Sequence, residues 1–132
     1  MSTSATGTFE IDGWDEKPYD EREGTRLTRT RVTKTFHGDI EGESIAELLM
    51  AYGASEGSAA YVGFERIVGS VNGRKGSFVL HHNASGARGE RSAAWSVVPD
   101  SGTGELRGLK GEARISIGAD GGHSFTLDYD LE

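Results

Sequence analysis

The stretch GFERIVGSVNGRKGSFVLHH, Gly63–His82, carries the strongest fold signal in the sequence. Asn72-Gly73 lies at its centre, between two runs that are rich in β-branched and aromatic residues. This dipeptide favours a type I′ turn, because both central residues of that turn need a positive φ. A two-residue loop places Val71 opposite Arg74 and Gly63 opposite His82. The sequence therefore predicts an antiparallel hairpin with a fixed register.

The two faces of this predicted hairpin differ in composition. Adjacent strand residues point to opposite faces, so His81 and His82 cannot share one metal site. One face suits a barrel interior with a few polar groups, which is typical of a ligand pocket. The other face would then be a subunit interface, although the reverse assignment, with this more apolar face as the core, stays open. The first face carries three glycines with Tyr61, Glu65, Ile67, Phe78, Leu80 and His82, and the second carries Val62, Phe64, Arg66, Val68, Val79 and His81.

Further segments with strand character recur along the chain and are separated by turn signals. The last of them, HSFTLDYDL, alternates apolar with polar residues and predicts a half-buried strand. The acidic stretch around Pro18 is expected to be a loop. The predicted strands are residues 7–14, 27–37, 59–71, 74–83, 91–98, 105–117 and 123–131.

The segment ESIAELLMAY, residues 43–52, gives conflicting signals. Its apolar residues recur at helical spacing, and Ser44 with Glu47 imitates a helix-capping box. A lone helix would interrupt a regular succession of strands. Both interpretations stay open from the residues, and we expect a strand.

Seven or eight strands in hairpin order, without alternating helices, predict an all-β fold with an antiparallel sheet. Closure into an eight-stranded barrel would remove the exposed sheet edges. Such a barrel is either filled by its own side chains or holds one small ligand. The length of 132 residues fits a single β-barrel domain over residues 1–132.

Composition narrows the classes of partner and compartment. The chain has no cysteine, a net charge of −7, and twenty glycines that suit the turns and bends of a twisted sheet. The acidic balance disfavours nucleic acid and anionic membranes as partners. Residues 1–8 lack the features of a signal peptide, and no apolar run is long enough to span a bilayer. We expect a cytoplasmic protein.

Glu65 and His82 are the candidate catalytic residues. The register places them diagonally on one face, where a carboxylate beside an imidazole can bring a proton-transfer pKa near neutrality. A purely structural Glu–His pair is the alternative. The candidate ligand-binding residues are Tyr61, Trp14, Glu16, Trp95, Phe78 and Leu80.

No cofactor or metal is predicted. The four histidines lie on separate predicted strands or point apart, without the spacing of a metal motif. The segment SGTGELRGLKG, residues 101–111, lacks the strand-to-helix context of a phosphate loop.

Several blocks of the sequence carry a family resemblance. They are GTFEIDGWDE, VTKTFHGDIEGES, YVGFERIVGSVNGRKGSFVLHH, VVPDSGTGELRGLKGE and FTLDYDL, and they occur in order over essentially the whole chain. The chain resembles the bacterial family of domain of unknown function 3224. That family in turn looks like the allene oxide cyclase-like barrels, small antiparallel barrels that usually form dimers or trimers. Their GTG-x-F/L turn is similar to GTGELRGLKG.

The resemblance implies a barrel that shapes a flexible, hydrophobic substrate, but it transfers no functional residue to this chain. Together with the pattern of residues, it predicts a homodimer or trimer that binds a small, largely apolar molecule inside the barrel. The protein would be an isomerase or cyclase in which Glu65 and His82 handle a proton. A non-catalytic carrier or sensor, and a filled barrel that serves only as an assembly module, are the open alternatives.

Overall fold

Eight antiparallel strands in chain order close into a barrel in the computed structural model, which describes residues 3–131. Each strand pairs with its neighbours in sequence, and the last strand pairs with the first. The predicted all-β, antiparallel, eight-stranded barrel is therefore confirmed. The strands are β1 (Thr3–Arg22), β2 (Thr25–Gly38), β3 (Ile40–Tyr52), β4 (Ala59–Val71), β5 (Arg74–Ala87), β6 (Glu90–Val97), β7 (Lys110–Ile117) and β8 (His123–Asp130).

The β4–β5 hairpin has the register that its turn predicts. Val71 pairs with Arg74 and Gly63 with His82, and the turn residues Asn72 and Gly73 have φ values of 47° and 82°. The glycine-bearing face is the inner one, since five of its side chains are buried while Val62, Phe64 and Val68 on the other face are exposed. The inward assignment is therefore confirmed. The five buried side chains are those of Glu65, Ile67, Phe78, Leu80 and His82.

Residues 43–52 belong to strand β3, as expected. This strand pairs with β2 on one side and with β4 on the other along nearly its whole length. Its burial alternates with period two, since Ser44, Ala46 and Leu48 are buried while Ile45 and Leu49 are each 45 % exposed. The apolar residues that recur at helical spacing therefore lie on both faces of the sheet. Pairing with both neighbouring strands overrides the local helical propensity.

The acidic stretch around Pro18 is not the loop that we expected. It continues β1 to Arg22 and pairs with β2, next to a register shift between Pro18 and Asp20. β8 leaves β1 after Phe9, so the rest of β1 has β2 as its paired strand. Proline is tolerated there because edge strands and bulges do not need every backbone N–H.

The segment before β7 is also not the strand that we expected from residue 105. Gly104–Leu106 forms a short 3-10 helix, and β7 begins only at Lys110. The segment nevertheless bonds to the edge of β5, where the Ser77 amide donates to Thr103 Oγ1 and the Val79 amide donates to Ser101 Oγ. The side chains of this segment thus replace a strand partner where β6 has ended.

The apolar core fills only one end of the barrel. Its largest members are the buried phenylalanines Phe36, Phe78 and Phe125, and Leu106 with Leu109 belong to the same cluster. A separate, smaller cluster of Val32, Ala46 and Leu48 lies beyond it. The residues of this second cluster line the other half of the barrel, where the interior is open.

Candidate functional site

A cavity of about 640 Å³ occupies the open half of the barrel. All eight strands contribute to its wall, which is mostly apolar and includes Val32, Leu48, Met50 and Ile115. Both its size and its composition are typical of small-molecule pockets.

The barrel wall is weakest beside this cavity. β6 and β7 are paired only through Trp95 with Ala113 and Ser96 with Glu112. The rest of each strand diverges, and Ala93 and Ile117, on the two diverging ends, both line the cavity. The seam between β6 and β7 therefore lies along the open half of the barrel.

Glu65 on β4 is at the centre of a buried polar network. Its side chain is only 1 % exposed. One carboxylate oxygen, Oε1, lies 2.7 Å from His82 Nε2 and 3.2 Å from Lys34 Nζ, while Oε2 accepts a hydrogen bond from the Ser44 hydroxyl. The network therefore joins strands β2, β3, β4 and β5 across the interior.

The Glu65 carboxyl is ionised at neutral pH. Burial alone would raise its pKa, but the hydrogen bond from His82 and the charge of Lys34 outweigh this and lower the pKa from 4.5 to about 2. The expectation of a pKa near neutrality is thus wrong for Glu65. At physiological pH this side chain accepts hydrogen bonds and does not donate a proton.

The ionised Glu65 fixes the tautomer of His82. A carboxylate can only accept, so the hydrogen bond to Glu65 requires His82 Nε2 to be the donor. In the neutral imidazole the proton is then on Nε2 and the basic lone pair is on Nδ1. No described residue makes a hydrogen bond to Nδ1, and the His82 ring lines the cavity. The pair therefore has the arrangement of an oriented base.

Lys34 on β2 also lines the cavity, and sequence reasoning did not include it. Its side chain is 9 % exposed, with the ammonium bonded to Glu65 and 4.7 Å from the centroid of the Phe9 ring. The signal for it was present, because Lys34 alternates in phase with Val32 and Phe36 on the inward face of β2.

Two aromatic residues flank His82 on the cavity wall. The ring centroids of Tyr61 and Trp95 lie 6.4 Å and 5.9 Å from that of His82, and Trp95 meets the imidazole edge-on. Burial raises the pKa of the Tyr61 hydroxyl, the Trp95 indole opposes this, and the Glu65 charge adds to it. The indole Nε1 is buried, yet neither Tyr61 nor any other described residue completes a hydrogen bond with it.

Trp14 and Glu16 lie at the mouth of the cavity. Trp14 lines it with its side chain 50 % exposed, so it belongs to the pocket wall and not to the core. Glu16 does not line the cavity. It accepts hydrogen bonds from Trp14 Nε1 at 3.1 Å, Thr28 Oγ1 at 2.8 Å and Tyr52 at 2.6 Å, and thereby holds the rim.

The remaining predicted residues have different positions. Phe78 and Leu80 are fully buried in the packed half of the barrel and do not line the cavity. Glu65 does not line the cavity. It can affect a bound molecule only through Lys34 and His82, which contact its carboxylate and do line the cavity. Of the predicted site residues, those that line the cavity are Trp14, Tyr61, His82 and Trp95.

Two further findings concern metals and membranes. No group of three or more histidine, aspartate or glutamate side chains in the described part of the chain is arranged to hold a metal ion. Residues 3–131 also contain no helix with the length and apolar character to cross a membrane.

Comparison with known proteins gives a consistent family assignment without a function. No curated protein matches the chain. A crystal structure of a protein of unknown function from Shewanella oneidensis, of the DUF3224 family, is 38 % identical and has a TM-score of 0.87 over 100 % of this chain and 99 % of that one. The sequence profile described as "Protein of unknown function (DUF3224)" matches residues 5–129. Membership of the allene oxide cyclase-like barrels stays a prediction. The chain belongs to the DUF3224 family.

Proposed function

We propose that the protein binds a small, largely apolar molecule in the open half of the barrel and moves a proton within it, as an isomerase or cyclase. The observation that supports this most is the position of His82. Its ring lines the apolar cavity, while its Nε2 donates to the buried carboxylate of Glu65. Such a carboxylate–imidazole pair is a common arrangement for an oriented general base.

In the proposed step, His82 Nδ1 takes a proton from a carbon or hydroxyl group of the bound molecule and returns it to another atom of the same molecule. The proton balance closes without an oxidant, a reductant or water. Glu65 is a positioning residue, because it holds the tautomer of His82 and stabilises the imidazolium that forms.

The apolar cavity contributes by holding the molecule in one conformation and by excluding water. Ring closure and double-bond migration both benefit from such restriction, since the entropy of alignment is lost on binding and not in the transition state. Burial of Glu65 and Lys34 also strengthens their electrostatic effect on the reacting groups.

The base-promoted opening of nitrobenzisoxazole tests the proton step without knowledge of the natural substrate. A base removes one C–H proton from this apolar probe, the N–O bond breaks, and a coloured phenolate forms. We expect a saturable rate that falls on the order of a hundredfold in His82→Gln. His81→Gln is the matched control, because His81 is the adjacent residue on the outer face, stacked on Phe64 at 5.2 Å.

Equal rates in His81→Gln and His82→Gln would contradict the proposed base. A probe that binds saturably but is never opened would instead favour a carrier or sensor that uses the same cavity.

A further inference from the structure

We propose that the molecule bound in the cavity carries an anionic oxygen, such as a carboxylate or an enolate, next to its apolar body. This inference rests on the proposed function and names the class of ligand for the same site. The oxygen would be bound by Lys34 Nζ and Trp95 Nε1, beside the His82 ring.

The charge of the cavity wall is the first argument. The chain has a net charge of −7. Nevertheless, no aspartate or glutamate of the described chain lines the cavity, whereas Lys34 and Arg91 do. Glu65 offsets the Lys34 charge from behind the wall, so that the ammonium and not the carboxylate faces the space where a ligand would lie.

The second argument is an excess of hydrogen-bond donors. The Lys34 ammonium has three N–H groups, and Glu65 is its one hydrogen-bond partner among the described residues. The buried Trp95 Nε1 completes no hydrogen bond there, although the indole lies close enough to the Tyr61 hydroxyl to act on its pKa. Buried donors in folded proteins are nearly always satisfied, and an indole N–H can only donate. Both groups can therefore donate a hydrogen bond to an acceptor that the ligand would supply.

The third argument is the position of these donors around His82. Trp95 is the cross-strand partner of His82 in the β5–β6 pair, and its ring meets the imidazole edge-on. Lys34 Nζ and His82 Nε2 contact the same oxygen of Glu65. An oxygen bound between the two donors would thus lie next to the proposed base, where negative charge develops when a proton is removed from an adjacent carbon.

Two fluorescent probes with the same aromatic body test this inference. Anilinonaphthalene sulfonate carries an anionic group, and N-phenylnaphthylamine is the same molecule without it. We expect the wild-type protein to bind both. In the double variant Lys34→Met/Glu65→Gln, which removes both charges and leaves none unpaired, sulfonate affinity should fall at least tenfold while the affinity for the neutral probe changes less than twofold.

Control variants locate the effect within the barrel. Lys75→Met removes an exposed lysine of β5 and should leave both affinities unchanged. Trp95→Phe replaces the indole by a smaller aromatic ring without an N–H, so it should weaken binding of the sulfonate more than binding of the neutral probe. Circular dichroism confirms that each variant is folded.

The outcomes separate this inference from the proposed function. If the wild-type protein does not bind the neutral probe, the cavity is not a site for apolar molecules and the proposed function fails. If the neutral probe binds but the sulfonate does not, or if Arg91→Met abolishes sulfonate binding while the double variant retains it, the anion site at Lys34 and Trp95 is overturned.

Discussion

At the scale of single residues, the buried carboxylate of Glu65 depends on its three partners. An isolated charge in a barrel interior would be costly, and such a group normally becomes neutral by a shift of its pKa. Here the shift is in the opposite direction, because His82, Lys34 and Ser44 all donate to the carboxylate. The network is therefore a coupled unit, in which removal of one member leaves another buried group without its partner.

The low pKa of Glu65 predicts a specific dependence of stability on pH. Its pKa is about 2 in the folded protein, against 4.5 for the ordinary carboxyl. A depressed pKa stabilises the fold above the unfolded-state value, and this contribution is lost as the pH falls through the folded-state value. At neutral pH it amounts to about 3 kcal/mol.

Chemical denaturation of the wild type and of Glu65→Gln between pH 7 and pH 2 measures this contribution. The variant should be less stable at neutral pH, and the difference in the free energy of unfolding should narrow as the pH falls below about 5. Glu41→Gln, at an exposed position of β3, is the control and should run parallel to the wild type. A constant difference between the wild type and Glu65→Gln would contradict the assigned pKa.

Sequence reasoning could find part of this network and not the rest. The Glu65–His82 contact follows from the hairpin register, which Asn72-Gly73 fixes locally. Lys34 and Ser44 come from β2 and β3. The registers of β2 against β3 and of β3 against β4 depend on loops without a comparably strong turn signal. The alternation of apolar and polar residues could predict that both side chains point inward. It could not predict that both would contact the Glu65 carboxylate.

At the scale of elements, the outer face of β3 and β4 is unusually apolar for an exposed surface. Ile45, Leu49, Val62, Phe64 and Val68 are each between 43 % and 56 % exposed. The charged residues around them have both signs, and Arg31 lies 3.7 Å from Glu47 at the edge of the patch. Such a surface can pair with a copy of itself, because a twofold contact buries the same apolar patch on both partners.

We therefore expect a homodimer through this outer face. The outer face of β2 to β5, with strands 13 or 14 residues long and about 4.8 Å apart, measures roughly 800 Å². This matches the roughly 800 Å² per partner of a standard interface. Light scattering coupled to size exclusion should give twice the chain mass for the wild type and the chain mass for Phe64→Glu.

Tyr19→Glu is the control for this prediction, since Tyr19 is 59 % exposed on β1, away from the patch. It should remain dimeric. A monomeric wild type, or a Phe64→Glu variant of unchanged mass, would contradict the interface, and three times the chain mass would indicate a trimer.

The strand boundaries show where sequence patterns fail for elements. The pairing of β4 with β5 could be predicted residue by residue, because a two-residue turn leaves no freedom of register, although β5 continues to Ala87 beyond its predicted end at residue 83. The second half of β1 was missed because its charged residues and Pro18 imitate a loop, although pairing with β2 alone accommodates both. The start of β7 was placed too early, because the apolar Leu106 and Leu109 imitate a strand while they pack into the closed end of the barrel.

At the scale of the whole molecule, the barrel is filled at one end and open at the other. At the filled end, glycines let the backbone of neighbouring strands approach closely. A Cβ on Gly69 would overlap the carbonyl oxygen of Glu41, and one on Gly76 would overlap that of Thr103. At the open end, β7 and β8 are short, and the barrel wall there contains the seam between β6 and β7 and the cavity beside it. The sequence predicted closure of the barrel, but it could not show how far the interior is filled, because this depends on how side chains from all eight strands meet.

Binding of N-phenylnaphthylamine to a matched pair of variants tests the central claim, that the open half of the barrel is a binding site, most directly. Ala93 and Ala94 are adjacent on β6, and Ala93 lines the cavity while Ala94 does not. We predict saturable binding to the wild type and to Ala94→Phe, and at least a tenfold loss of affinity in Ala93→Phe, whose ring would occupy the cavity. Absence of saturable binding to the wild type, or equal affinities in Ala93→Phe and Ala94→Phe, would contradict the account.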